Sequence, residues 1–211
     1  MPNFAKACEL ALILAVDVSG SVDQSEYRTQ MDGLAAALRD GIVSDALVDQ
    51  NAAVALVQWS GSSRQELTVP WTHITSHADV AKLADVVAND PRLWRNYSTA
   101  IGEALLLSMR AFDAVAPCRR KVIDVSGDGV SNEGIEPMSL RGELHARDIL
   151  VNALAIETDD TDLTAYFYEN LIVGEGAFVI TANGFADYPA QIRRKLQRET
   201  TKQLSLRIPT R

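Results

Sequence analysis

Five oxygen-bearing side chains in three short segments could together hold one hard metal ion. They are Asp17, Ser19 and Ser21 in Asp17-Val18-Ser19-Gly20-Ser21, Thr99 in Asn96-Tyr97-Ser98-Thr99-Ala100, and Asp128 in Val125-Ser126-Gly127-Asp128-Gly129. Ser19 and Ser21 stand two apart in a turn, so both hydroxyls can face one side as a chelating pair, and Gly20 between them removes a side chain that would crowd the approach. Asp17 and Asp128 each close an apolar run, and their carboxylates meet above one sheet edge if those runs are neighbouring strands. Magnesium prefers hard oxygen ligands in near-octahedral geometry and keeps several waters, which suits few carboxylates and open positions. Manganese or calcium could take the same donors, calcium usually with more carboxylates. Taken singly, Asp-x-Ser-x-Ser reads as a helix-capping turn and Asp-Gly as a plain turn; their joint order at three element ends favours one shared site.

Those positions require a particular set of elements. Apolar stretches at 10–16, 53–59, 65–69, 121–126, 149–156 and 176–181 read as strands, and amphipathic helical stretches alternate with them, as in a parallel sheet covered on both faces. Met31, Leu34, Ala35 and Leu38 share one helix face, as do Ile101, Leu105, Met109 and Phe112. Asp23 followed by Glu26 is a capping pair opening the first helix. Thr99 would begin the helix running to about Phe112, with Asp17 and Asp128 on a solvent-facing rim. Asn183-Gly184 is a turn, after which Ile192 and Leu196 mark the inward face of a basic C-terminal helix.

The chain has 211 residues, 47% of them hydrophobic, enough for one domain with a full core. A net charge of −8, from 20 basic and 28 acidic residues, argues against a nucleic-acid partner and suits a surface that collects cations. The longest apolar run, Leu10 to Val16, is far short of the roughly 20 residues that span a bilayer.

The three segments resemble the metal-ion-dependent adhesion site of the von Willebrand factor A superfamily, and the resemblance extends from about Cys8 to Thr200. It implies an α/β fold: a single three-layer, doubly wound, Rossmann-like domain over residues 8–203, with a mostly parallel six-stranded central sheet and helices on both faces. An N-terminal segment, 1–7, and a loose C-terminal tail, 204–211, would flank it. It also implies that Ser19 and Ser21 ligate Mg²⁺ directly, that Thr99 and Asp128 exchange direct and water-mediated roles, and that Asp17 orients a coordinated water and the serines. The last metal position would go to an Asp or Glu of a partner protein. Asp124-Val125-Ser126-Gly127-Asp128-Gly129, Val57-Gln58-Trp59-Ser60 and Gly174-Glu175-Gly176-Ala177-Phe178 are similar to an uncharacterised bacterial subfamily whose members usually begin with a secretion signal. The protein would then be periplasmic or secreted if such a signal has been removed, and cytoplasmic otherwise.

Cys8 lies nine residues before Asp17 and Cys118 ten before Asp128, so if the aspartates end adjacent parallel strands the cysteines start them. A one-residue stagger of about 3.3 Å and a strand spacing of about 4.8 Å give a Cα separation of about 6 Å, within disulfide range. The alternative is two buried thiols; a bridge would point to an oxidising compartment. Two function classes follow. One is a binding module that docks a partner through the metal; the other is a metal-dependent hydrolase that uses the same ion to activate water or clamp a phosphate. No Gly-x-Ser-x-Gly elbow, P-loop or Gly-x-Gly-x-x-Gly fingerprint occurs, which favours binding over catalysis. His73 and His77 read as solvated or capping residues around a loop, Trp59 and Trp71 as rim packing, and Asn132 and Glu133 first as a turn that could line the metal rim.

Overall fold

The computed structural model describes residues 7–158 and 162–201. Six strands, β1 (Leu10–Asp17), β2 (Ala53–Trp59), β3 (Gln65–His73), β4 (Arg120–Gly127), β5 (Ile149–Ile156) and β6 (Val179–Ala182), form one sheet in the order β3-β2-β1-β4-β5-β6. All neighbours pair in parallel except β2 and β3, which form an antiparallel hairpin. Among the described residues seven α-helices cover it: α1 (Gln24–Leu38), α2 (Gly41–Asp49), α3 (His77–Asn89), α4 (Ile101–Ala111), α5 (Arg141–Ala146), α6 (Leu163–Asn170) and α7 (Tyr188–Thr201). The flanking ends expected at 1–7 and 204–211 fall almost wholly outside the described residues.

Side-chain alternation explains the three layers. Leu10, Leu12, Leu14 and Val16 join Met31, Leu34 and Leu38 of α1 and Ile192 and Leu196 of α7 in one core, while Ala11, Ile13 and Ala15 join Ile101, Leu105 and Met109 of α4 in the other. Buried on both faces, β1 has no polar side to display, which is why its sequence reads as an unbroken apolar run. The capping box at the start of α1 is present: Glu26 N–H donates to Asp23 Oδ1 at 2.8 Å and Asp23 N–H to Glu26 Oε2 at 2.7 Å.

Two strand boundaries differ from the sequence reading by more than one residue. β3 continues through Pro70 to His73 because it is an edge strand with a bulge, where a residue lacking an N–H costs no ladder bond. β6 begins at Val179, three residues later than expected, because Gly174 and Gly176 take φ of 103° and 73° and keep the chain turning.

A disulfide joins Cys8 and Cys118 with a Cα separation of 4.6 Å. The expected stagger is absent at that end: Leu10 pairs with Arg120, so the cysteines two residues earlier are opposite one another. The one-residue offset instead appears at the other end, where Asp17 closes β1 and Asp128 lies one residue beyond β4.

The chain leaves β1 toward β2 on one side and arrives at β4 on the other, so the strand order reverses between β1 and β4. In open α/β sheets, the crevice beyond the C-terminal ends of such strands is where ligands bind. Asp17 and Asp128 stand at that crevice.

Candidate metal centre

The chain after β1 is shaped by hydrogen bonds that leave its hydroxyls free to converge. Ser19 N–H donates to Asp17 Oδ1 at 2.7 Å, Val18 N–H to Trp59 O at 2.9 Å, and Gly20 N–H to Tyr97 O at 2.8 Å. From below, Gln30 of α1 donates its amide to Asp17 O at 3.2 Å. A Cβ at Gly20 would lie 3.1 Å from that same Tyr97 carbonyl, so the turn and the 96–97 segment touch only because residue 20 is glycine.

On this frame the side chains gather. Ser19 Oγ and Ser21 Oγ are 3.3 Å apart, and Ser21 Oγ donates to Asp128 Oδ1 at 2.6 Å. Thr99 enters from the far side, lining with Ser21 and Asp128 a cleft of about 240 Å³ that is walled by Gly129, Asn132, Ile156 and Glu157. Ser21, Thr99 and Asp128 therefore line one cleft, from segments separated by about 80 and 30 residues, with Ser19 beside Ser21 and Asp17 bonded to the Ser19 N–H.

Two expectations about their setting need correction. Asp17 is not on a solvent-facing rim: it is fully buried, and Asp128 is 9% exposed, because β4 and the Trp59 ring close over the strand end. Only Ser21 is exposed. Thr99 does not begin a helix either; α4 starts at Ile101 after an Ala100 cap that makes no side-chain hydrogen bond. Ile101 N–H donates instead to Ser131 Oγ at 3.4 Å, and the residues before the helix are held from other segments. Thr99 N–H donates to Asn132 Oδ1 at 2.9 Å, Asn132 N–H returns to Thr99 O at 2.9 Å, and Ala100 N–H donates to Ser60 O at 2.9 Å.

The electrostatics are those of a place prepared for positive charge. Burial, and then the nearby Asp128 carboxylate, push Asp17 up to about 7, against the opposing pull of the Ser19 hydroxyl and the Ser19 and Asp128 N–H groups. Asp17 Oδ2 is buried and takes no hydrogen bond of full geometry. A Cβ on Gly127 would stand 2.9 Å from it. Among the described residues no trio of His, Cys, Asp and Glu assembles, so the donors here are two carboxylates and three hydroxyls. That set fits a small oxygen-preferring divalent cation and is poorly matched to a soft one.

Several residues that matter here carried little signal. Asn132 locks the Thr99 segment, whereas in sequence it was one residue of a turn. Arg92 donates through Nη2 to Ser19 O at 2.9 Å and Val18 O at 3.1 Å, a contact over 73 residues that no pattern announces. Glu133 is held away on the neighbouring hairpin, accepting from Ser62 Oγ at 2.6 Å. Trp59 is fully buried beside Gly127, and Trp71 belongs to β3, donating to Ala111 O at 2.9 Å and packing on Phe112. His73 ends β3, His77 opens α3 with its Nδ1 2.9 Å from Ser44 Oγ, and exposed His145 lies in α5; none is near the crevice.

Comparison with known proteins bears on this geometry. The family described as Protein of unknown function (DUF1194) matches residues 7–204. A search of curated proteins gave no match. Among solved structures, proximal thread matrix protein 1 from the mussel byssus superposes with a TM-score of 0.70 at 18% identity, covering 91% of this chain and 48% of the mussel chain. A second structure of that protein, described as having a zinc-occupied MIDAS motif, gives 0.66 at 20% identity over 91% and 48%. A von Willebrand factor type A protein from Catenulispora acidiphila gives 0.59 at 20% identity, over 92% and 43%. The chain thus spans about half the length of the mussel protein it matches. The fold is that of a von Willebrand factor A domain.

Proposed function

We propose that this chain, which belongs to the family described as Protein of unknown function (DUF1194), is a metal-dependent protein-binding module. Asp17, Ser19, Ser21, Thr99 and Asp128 hold Mg²⁺, or Mn²⁺ or Ca²⁺ in its place, and a carboxylate of a partner protein completes the shell. The single observation that carries this reading is the meeting of Ser21, Thr99 and Asp128 in one cleft at the β1–β4 crevice, with Ser19 beside Ser21 and the buried Asp17 carboxylate accepting from Ser19 N–H. The zinc-occupied MIDAS motif named for the mussel protein supports it by analogy of fold.

Each residue has a physical task. Ser19 and Ser21 offer neutral oxygens, so the cation keeps most of its charge for an incoming anion. Asp17 and Asp128 supply the negative charge that holds it, while Asn132 and Ser60 fix the backbone around Thr99 so that its hydroxyl faces the cleft. The bound ion would act as an electrostatic anchor for a carboxylate.

The hydrolase alternative needs a general base in addition to the metal ligands. Glu157 on the cleft wall is already engaged, accepting from the Thr164 hydroxyl at 2.6 Å and the Thr164 N–H at 3.2 Å. We therefore read the output as binding. The Cys8–Cys118 disulfide supports an oxidising compartment, a periplasm or the cell exterior, as the protein's location.

Affinity capture from the source cell tests the reading. A protein retained with Mg²⁺, released by chelator and lost with Thr99→Ala supports it. A set of captured proteins that is identical with and without chelator contradicts it, and turnover of a phosphoester or ester that is lost in Ser21→Ala would replace it with the hydrolase.

A further inference from the structure

Strand β2 consists of six apolar side chains and Gln58, all of them buried. An amide in a strand packed on both faces costs free energy unless it is hydrogen-bonded, and an aliphatic side chain would serve the core better. The bonds of Gln58 lead out of the core. Its Nε2 donates to Asp90 Oδ2 at 2.7 Å and to Pro91 O at 2.9 Å, and Leu93 N–H donates to its Oε1 at 3.1 Å. Thr68 of β3 donates its hydroxyl to the same Asp90 oxygen at 2.6 Å. Segment 90–93 is thereby fastened to the end of β2. Arg92 lies within it and donates from Nη2 to Val18 O and Ser19 O, so Gln58 reaches the Ser19–Ser21 turn through Arg92.

The next two residues reach the other donor-bearing segments. Trp59 O accepts from Val18 N–H at 2.9 Å, and the Trp59 ring lies against Gly127, where a Cβ would stand 3.3 Å from Cζ2, one residue before Asp128. Ser60 is fully buried; its hydroxyl donates to Ser98 O at 3.1 Å and its carbonyl accepts from Ala100 N–H at 2.9 Å, so Thr99 is gripped on both sides. β2 and its end supply none of the five metal donors. Three consecutive residues there nevertheless hold the β1 turn, the Gly127–Asp128 corner and the Thr99 segment.

We infer that Gln58 and Ser60 are positioning residues of the metal site, and that the stiffness they impart sets how strongly it prefers Mg²⁺ to Ca²⁺. This rests on the metal-binding reading and adds to it what tunes the choice of ion. Mg²⁺ demands near-ideal octahedral geometry at about 2.0–2.1 Å, whereas Ca²⁺ accepts roughly six to eight oxygens at about 2.3–2.6 Å in flexible arrangements. A frame held from one strand end suits the demanding ion, and slackening that frame penalises Mg²⁺ more than Ca²⁺. Groups that orient metal ligands from behind typically carry about 10–100-fold in affinity.

The test is calorimetric titration of the full chain with MgCl₂ and, separately, with CaCl₂, with circular dichroism on each sample. Gln58→Met removes the amide at similar volume and should weaken Mg²⁺ about 10–100-fold but Ca²⁺ less than about threefold, lowering the Mg²⁺ to Ca²⁺ affinity ratio about tenfold or more. Ser60→Ala removes one hydroxyl and should lower the ratio about threefold. Val54→Ala, fully buried in the same strand and remote from these bonds, should lower the melting temperature and leave the ratio unchanged. An unchanged ratio in folded Gln58→Met, or an equal shift in Val54→Ala, overturns the inference while leaving the metal reading standing. If Gln58→Met does not fold, Ser60→Ala decides, and an unchanged ratio there overturns it. A wild-type chain that binds neither ion defeats the metal reading itself, and this inference with it.

Discussion

Replacing Lys195 with methionine should expose how a dry layer of charge under α7 is kept tolerable. Lys195 is fully buried, Asp124 of β4 is 2% exposed and Glu199 of α7 is 3% exposed. Lys195 Nζ pairs with Asp124 Oδ1 and lies 3.1 Å from Glu199 Oε1, which also accepts from Asn152 Nδ2 at 2.8 Å. Two carboxyls share one ammonium. Burial, and then the Glu199 charge, raise Asp124 well above the usual carboxylate range, with Lys195 opposing. A carboxyl whose folded pKa is raised contributes stability that is complete below about pH 4 and is lost as pH rises through the raised value. Lys195→Met removes the opposing charge at nearly constant volume, so the folded variant must keep a further carboxyl protonated. At pH 7, about three units above an ordinary carboxyl, that costs about 4 kcal/mol, and at pH 5 about 1.5 kcal/mol. Urea unfolding of wild type and variant at both pH values measures the gap directly. Adding Asp124→Asn to the variant should recover half of the loss or more, because the neutral amide needs no proton. A gap below about 1 kcal/mol at both pH values, or one that does not widen with pH, would refute the reasoning.

Other perturbations separate further parts of the account. Reducing the Cys8–Cys118 bridge opens a loop spanning a sequence separation of 110, for which chain entropy gives about 5 kcal/mol; urea midpoints with and without reductant should differ accordingly, and coincident midpoints would deny the bridge a structural role. Gly102→Ala ought to stabilise a helix, yet its Cβ would stand 2.0 Å from Ile135 O, so a lower melting temperature is expected and a higher one would show that the 131–136 segment moves freely. Asp17→Asn removes a buried carboxylate pushed up to about 7, whose stabilising contribution fades as pH rises from about 4 through 7. The metal-free variant should therefore melt no lower than wild type at pH 8 while losing any rise on adding Mg²⁺; an undiminished Mg²⁺ effect would remove Asp17 from the site.

Much of the arrangement could be read from residue order because short-range rules set it. The apolar run Leu10–Val16, the Asp23–Glu26 box and the faces of α1 and α4 each follow from local periodicity or capping. The parallel pairing of β1 with β4 made the Cys8–Cys118 bridge foreseeable, though not its register, since a single residue of offset can fall at either end of a strand pair. What escaped was tertiary. Asp17 at the end of a strand looks exposed until Trp59 and Gly127 close over it. Arg92 reaches Ser19 across 73 residues and Arg64 reaches the Tyr97 ring across more than 30, distances at which sequence spacing holds no information about contact. The layer of Asp124, Lys195 and Glu199 was hidden for the same reason, Asp124 having read only as part of a motif and Lys195 as one of a run of helix-face charges.

The central claim is that the β1–β4 crevice holds a divalent cation through these five side chains. Electron paramagnetic titration of Mn²⁺, with circular dichroism on the same samples, tests it most directly. One tightly held Mn²⁺ per chain in the wild type, abolished in Asp128→Ala while the far-ultraviolet spectrum is unchanged, is the predicted result. Equal Mn²⁺ binding by both proteins would contradict the account.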